Sequence, residues 1–135
     1  MSGLENITVR SAKLSEPDSA TILHPVLHEV RHAMRRLIQT GESTVIDLAS
    51  LPFGPGAEAQ LLAYLGEGEV SATLNTLGRS RLWETRFPGV WLVDHYNPEQ
   101  ERIAFQVEVA EVPALLKSQK EDVVDGLDRL TNLLR

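Results

Sequence analysis

Residues 66–96, GEGEVSATLNTLGRSRLWETRFPGVWLVDHY, set the architecture of this chain. The stretch contains three segments with the alternating or β-branched character of strands, and Pro88-Gly89 is a typical hairpin turn between the last two. Both tryptophans of the chain, Trp83 and Trp91, lie within it. It has no cysteine, no phosphate-binding loop and no nucleophile–base pair recognisable by spacing. The stretch therefore favours a surface built for contact over a reaction centre.

The segments on either side complete an α+β pattern. Arg102–Ala110 alternates cleanly after a polar loop, so four strands joined by short turns are expected to form an antiparallel meander. Thr44–Leu48 is a β-branched run that predicts a buried strand. We therefore expect an α+β fold, a mainly antiparallel four- to five-stranded sheet with helices packed on one face. A first helix is predicted over Leu23–Ile38, with Pro25 in its first turn, and a second from Pro55 to a stop at Gly66. A third helix is predicted in the last segment. Its apolar stripe is Val123, Val124, Leu127, Leu130, Leu133 and Leu134.

Composition limits the possible partners. Residues 1–20 are expected to form a polar N-terminal arm, and residues 21–135 a single domain that is large enough to bury a core. The net charge of -6 argues against nucleic acids and anionic membranes as partners. Because the chain has no cysteine, disulfides and thiolate-bound zinc or iron–sulfur clusters are excluded. The N-terminus has no apolar signal segment, so a cytoplasmic location is expected.

Three histidines, His24, His28 and His32, follow one another at four-residue steps and share one side of the first helix. Imidazoles at this spacing can bind nickel or zinc ions. Arg31 and Arg35 occupy the same side and would repel a cation, and no carboxylate or cysteine completes a ligand set. The same basic side could instead attract an acidic partner or simply be solvated. A nickel or zinc carrier is the alternative function, and no metal ligand is assigned.

Glu84, Asp94 and His95 are the candidate acid–base residues, and Ser71 or Ser80 the candidate nucleophile. The sequence has no nucleophile elbow and no pair whose surroundings would drive the two pKa values apart. A small hydrolase or isomerase would need an enclosed pocket with converging acid and base groups. The chain is therefore not expected to be an enzyme, and no catalytic residue and no cofactor are assigned.

The two tryptophans lie on strands that are joined by the Pro88-Gly89 turn. Pairing across that turn is expected to bring Trp83 or Thr85 close to Trp91 on one face of the sheet. If the helices cover that face, both rings belong to the core; if it is open, they form a patch of the kind that anchors protein interfaces.

Several short motifs together resemble a known family, the HupH/HyaF hydrogenase-expression proteins, in their C-terminal domain. The similarity covers roughly residues 23–118, and the GEGEVSA, WET and GVW series is its most specific part. The motifs are Thr44-Val45-Ile46-Asp47-Leu48, Leu51-Pro52-Phe53-Gly54-Pro55-Gly56, Gly66-Glu67-Gly68-Glu69-Val70-Ser71-Ala72, Trp83-Glu84-Thr85 and Pro88-Gly89-Val90-Trp91.

The resemblance implies a cytoplasmic, non-catalytic accessory protein for the maturation of uptake nickel–iron hydrogenases. The implied partners are the hydrogenase small-subunit precursor and other hydrogenase accessory proteins, and the implied role is protection or completion of that subunit's iron–sulfur clusters. Longer members of the family carry two related modules, whereas this chain has room for one, which makes a homodimer a further expectation. The contact surface is predicted at the Pro52–Gly56 turn, the Trp83–Trp91 hairpin and His95. Its residues are Pro52, Phe53, Gly54, Pro55, Trp83, Glu84, Thr85, Pro88, Gly89, Trp91 and His95.

Overall fold

The computed structural model describes residues 17–54, 56–75 and 80–135. In these residues the chain forms three α-helices and one five-stranded antiparallel sheet, which confirms the predicted α+β class. The elements are α1 (Pro17–Thr40), β1 (Thr44–Asp47), α2 (Ala57–Leu65), β2 (Ser71–Leu74), β3 (Ser80–Glu84), β4 (Val90–Tyr96), β5 (Arg102–Val109), a short 3-10 turn (Ala114–Leu116) and α3 (Lys120–Leu133).

The sheet has the strand order β1-β5-β4-β3-β2, and every neighbouring pair is antiparallel. Strands β2 to β5 form the expected meander, while β1 returns to pair with β5, where Ile46 lies opposite Val107. Both ends of this order are edge strands within the described residues, so β1 and β2 each have one side without a strand neighbour.

Helices α1 and α2 cover one face of the sheet and enclose the main core. The inward stripe of α1 consists of Leu23, Val26, Val30 and Ala33, which recur at helical spacing. On the facing side of the sheet the buried side chains alternate with those of the opposite face. The core cluster is Leu23, Val26, Val30, Ala33, Ile46, Leu48, Leu61, Leu65, Trp83, Val90, Leu92, Phe105, Val107 and Val109.

The opposite face of the sheet is also partly buried. Leu82, Trp91 and Val93 lie on this face, and each is less than a tenth exposed. The segment after β5 lies against the same side, where the Trp91 indole N–H donates to the Ala110 carbonyl at 3.2 Å.

The first helix differs from its prediction at its start. It begins at Pro17, so Pro25 lies in the helix interior and not in the first turn. An interior proline removes one backbone hydrogen bond, and the burial of Leu23 and Val26 beside it supplies packing that offsets this loss. Of the other predicted features, the start of the second helix at Pro55 and residues 1–16 of the arm lie outside the described residues.

Helix α3 forms as predicted, but none of its residues is buried against the described part of the chain. Within the described part of the chain, no helix combines the length and apolarity needed to cross a bilayer. The six apolar side chains at the predicted positions are 51–79% exposed: Val123, Val124, Leu127, Leu130, Leu133 and Leu134.

Candidate functional site

The glycine-rich segment before β2 runs along the end of β3. The Gly68 N–H donates to the Glu84 carbonyl at 2.7 Å, and the Glu84 N–H donates to the Val70 carbonyl at 2.9 Å. A Cβ on Gly68 would lie 2.7 Å from the carbonyl oxygen of Thr85, which is closer than real Cβ contacts. The GEGEV and WET motifs therefore belong to one backbone contact that only glycine allows at residue 68.

The WET and PGV motifs build the turn between β3 and β4. The buried Thr85 hydroxyl accepts a hydrogen bond from the Phe87 N–H at 3.1 Å. The Glu84 carboxylate accepts one from the Gly89 N–H at 3.2 Å, and Gly89 has a φ of 88°, a conformation that favours glycine. Thr85 and Gly89 thus act mainly as determinants of the turn.

The two tryptophans do not share a face, so that prediction is wrong. The register pairs Glu84 with Trp91, an even-numbered residue with an odd-numbered one, and this places Trp83 and Trp91 on opposite sides of the sheet. Trp83 joins the core beneath the helices, with the Arg81 guanidinium 4.5 Å from its ring centroid. Both rings are buried, at 7% and 5% exposure. Of the two alternatives, core or exposed patch, the structure therefore has both tryptophans in the protein interior.

Ser80 and His95 meet across β3 and β4, although their spacing gave no sign of a pair. The Ser80 hydroxyl is hydrogen-bonded to His95 Nδ1 and, at 3.4 Å, accepts from the Tyr96 N–H. Ser80 is only 1% exposed, so a substrate has no access to its oxygen. Among the described residues, no carboxylate is hydrogen-bonded to the imidazole, which leaves the pair without the third group of a catalytic triad.

The other candidate acids are held apart from this pair. Asp94 lies on the helix-covered face and accepts from Arg102 Nε at 2.9 Å, while Glu84 is engaged at the turn. Ser71 lies opposite Trp83 on the edge strand β2. The structure therefore distributes the predicted acid–base residues over three locations.

Arg102 forms a polar cluster that sequence reasoning missed. Its two terminal nitrogens donate to the carboxylate oxygens of Glu58 at 3.2 and 3.1 Å, in addition to the bond with Asp94. The hydrogen bonds that Arg102 donates, first to Glu58 and then to Asp94, raise its pKa, and partial burial opposes this shift. The guanidinium also lies 4.1 Å from the centroid of Phe105. This cluster ties the first turn of α2 to strands β4 and β5, and pairs so distant in sequence leave no local signal.

A groove of about 370 Å³ lies beside the edge strand β1. In the antiparallel ladder, the Leu48 N–H bonds to the Phe105 carbonyl, and alternation then turns the backbone groups of Val45 and Asp47 away from β5. The described residues that line the groove are mostly apolar and include two carboxylates but no basic side chain. These residues are Ile22, Pro25, Val26, Glu29, Val45, Ile46, Asp47, Leu51 and Pro52.

The predicted contact residues do not form one continuous surface. Pro52 is exposed, and Phe53 and Gly54 are half-buried, near the end of the sheet where β1 finishes. The Pro88-Gly89 turn lies at the other end, since the seven-residue strand β4 separates the two ends by about 20 Å. Pro55 is outside the described residues.

The histidines of α1 are all exposed. The His28 ring nitrogen Nδ1 lies 2.9 Å from an Arg31 terminal nitrogen, so the arginine predicted to oppose a cation is in contact with the imidazole. The described residues contain no group of three histidine or carboxylate side chains placed to hold a metal ion.

The comparisons with known proteins all match hydrogenase expression proteins. The family model for the C-terminal conserved region of HupH hydrogenase expression protein matches residues 22–135. The chain is 31% identical to hydrogenase expression/formation protein HoxQ of Azotobacter vinelandii over 87% of its length, and 34% identical to HupH of Rhodobacter capsulatus over 70%. It spans 42% and 34% of the length of these two relatives.

A solved structure has the same fold. The hydrogenase expression protein HupH from Thiobacillus denitrificans ATCC 25259 is 42% identical, with a TM-score of 0.79 over 83% of this chain and 93% of that chain. The sequence motifs, the fold and these matches agree, and the chain belongs to the HupH hydrogenase expression protein family, whose C-terminal conserved region it contains.

Proposed function

We propose that this chain is a cytoplasmic, non-catalytic accessory factor in the maturation of an uptake nickel–iron hydrogenase, and that it acts by binding the small-subunit precursor. Its relatives are named hydrogenase expression/formation proteins, which supports a role in this process. The most distinctive motifs are used to build turns and core, and the buried Ser80 offers no accessible nucleophile. Recognition of another polypeptide is the activity that these features favour.

The groove beside β1 is the observation that carries this proposal. An edge strand with free N–H and C=O groups can accept an extended segment as an additional strand. At Val45 the backbone faces the free edge, and its side chain is 53% exposed. Alternate side chains of an added strand would enter the groove between β1 and α1. Pro52, one of the predicted contact residues, forms part of that groove.

The lining defines the chemistry of the bound segment. Pro25, Val45 and Leu51 are accessible and offer apolar contact. Glu29 and Asp47 supply negative charge, and no basic residue among the described lining residues neutralises it. An extended segment that combines an apolar side chain with a lysine or arginine fits this surface. The buried residues Trp83, Thr85 and Trp91 support the fold around it and do not contact the partner.

The experiment is co-expression of the affinity-tagged chain with the small-subunit precursor, followed by quantification of precursor retained on the tag. We expect retention above that of the tag alone. The co-expression is done in cells that also contain the other hydrogenase accessory proteins, so that any of them needed for binding is present. If no precursor is retained under these conditions, the proposal is overturned.

Two matched pairs of variants locate the contact. Val45→Pro removes the outward N–H and is expected to reduce retention, whereas Val45→Thr keeps the N–H and the β-branch and should retain precursor normally. Glu29→Lys reverses a groove charge and should also weaken retention, while Glu99→Lys, on the exposed loop before β5, should not. Equal retention by all four variants would exclude the β1 groove as the contact.

A further inference from the structure

The exposed face of α3 is patterned as a helix-pairing seam. Val123, Leu127, Leu130 and Leu134 follow one another at steps of four, three and four residues, which places them in one line along the helix. Each is more than half exposed, and no residue of α3 is buried by the rest of the described chain. An apolar line of this length, left without a partner, needs another surface to cover it.

The sequence of α3 is complementary to itself when it is read in the opposite direction. If two copies run antiparallel with the crossing point between residues 128 and 129, Val123 lies level with Leu134 of the second copy. Leu127 then lies level with Leu130 of the second copy, so each apolar seam position meets another. A two-fold interface requires such reciprocity, because residue i contacts residue j and j contacts i.

The charges at the two ends of α3 also favour the antiparallel arrangement. The acidic first turn of α3 contains Glu121 and Asp122, and Arg135 follows the last turn. In the antiparallel arrangement the acidic first turn of one copy lies beside the end of the second copy that contains Arg135. These charged side chains lie on the outer side of α3, so the attraction acts between the two helix ends and not through paired contacts at the seam. A parallel arrangement would instead place the two acidic first turns side by side, which is unfavourable.

The positions that flank the seam carry no charge. Val124 and Thr131 lie on one side of it, and Gly126 and Leu133 on the other. A Cβ placed on Gly126 would meet nothing closer than Arg129 at 3.8 Å, so this flank is open to close approach. We infer that α3 is a dimerisation helix whose occupant is α3 of a second copy of this chain, packed antiparallel along about 21 Å.

The mass of the full chain in solution tests this inference. Light scattering after size-exclusion chromatography should give twice the 15.0 kDa chain mass at submillimolar concentration. Leu127→Asp and Leu130→Asp should each weaken dimerisation by roughly tenfold or more. Asn132→Asp adds the same charge on the outer side of α3 and should leave the dimer intact. Because α3 is not buried in the fold, circular dichroism should show folded protein for all three variants.

Cross-linking tests the direction of the two helices, and the chain has no native cysteine to interfere. In the antiparallel register, residue 124 of one copy and residue 131 of the other differ by about 3 Å along the axis. A mixture of Val124→Cys and Thr131→Cys proteins should therefore form the mixed disulfide faster than Val124→Cys forms its own, since like residues are about 14 Å apart along the axis.

Three results would overturn the inference. These are a monomer at every concentration, a dimer that both aspartate variants at the seam leave unchanged, and Val124→Cys self-coupling that is faster than the mixed reaction. Because the experiment uses the chain alone, its outcome is independent of precursor binding.

Discussion

Replacing Gly68 by alanine tests whether the close backbone contact with Thr85 requires glycine at this position of the GEGEVSA motif. The added Cβ would lie 2.7 Å from the Thr85 carbonyl oxygen, whereas ordinary contacts begin at 3.4 Å, so the segment must move by 0.7 Å, the difference of the two. This movement strains the 2.7 Å bond from the Gly68 N–H to the Glu84 carbonyl. Overpacking of this kind lowers the free energy of unfolding by roughly 1–3 kcal/mol. Alanine also has less backbone entropy than glycine in the unfolded chain, which raises the free energy of unfolding by about 0.4–1 kcal/mol. We expect a net loss of about 1–2 kcal/mol in the free energy of unfolding.

Urea unfolding followed by tryptophan fluorescence measures this loss, because Trp83 is in the core and Trp91 is buried on the opposite face. Gly54→Ala is the matched control: a Cβ on Gly54 meets nothing within 4 Å, so a change within about 0.5 kcal/mol is expected. If Gly68→Ala is as stable as Gly54→Ala, the close approach of the two segments does not explain the glycine.

Further predictions concern single side chains. Trp91→Ala should lower the free energy of unfolding by roughly 3–5 kcal/mol, and Trp91→Phe by less, in the same urea assay. A Trp91→Ala protein as stable as the unsubstituted chain would show that the ring does not belong to the core. Burial raises the pKa of Tyr64, so the folded chain holds the phenol proton more tightly than the unfolded chain; the resulting stability, present below about pH 10, is lost as the pH rises above it. Tyr64→Phe should abolish that alkaline loss in pH-dependent melting, and a loss that persists would assign it elsewhere. Glu58→Gln should cost up to about 1 kcal/mol, less in high salt, since the pair with Arg102 is partly exposed. Ser80→Ala should leave precursor retention unchanged while the fold persists, and a loss of retention in a folded variant would give the Ser80–His95 pair a role in binding.

The sheet could be predicted from sequence because its signals are local. The alternation of Arg102–Val109 and the Pro88-Gly89 turn depend on residues that are close together in the chain. The class and the meander order follow from these signals. Helix α3 was also predictable as a helix, but the destination of its stripe was not, since periodicity shows only that a face needs cover.

The site was less predictable because it depends on register and on long-range pairs. A shift of one residue in pairing decides whether Trp83 and Trp91 share a face, and no local pattern fixes that choice. The Arg102–Glu58 contact joins residues 44 positions apart. The groove beside β1 arises where β1, α1 and the loop at Pro52 converge, which requires the tertiary structure.

Amide hydrogen exchange on the purified complex of this chain with the small-subunit precursor examines the proposed contact at the atoms involved. The outward backbone of β1 is free within the described residues, so the Val45 amide should exchange quickly in the chain alone and become protected in the complex. Protection elsewhere with Val45 unchanged would contradict the groove as the contact, and failure to form any complex would contradict the assembly role itself.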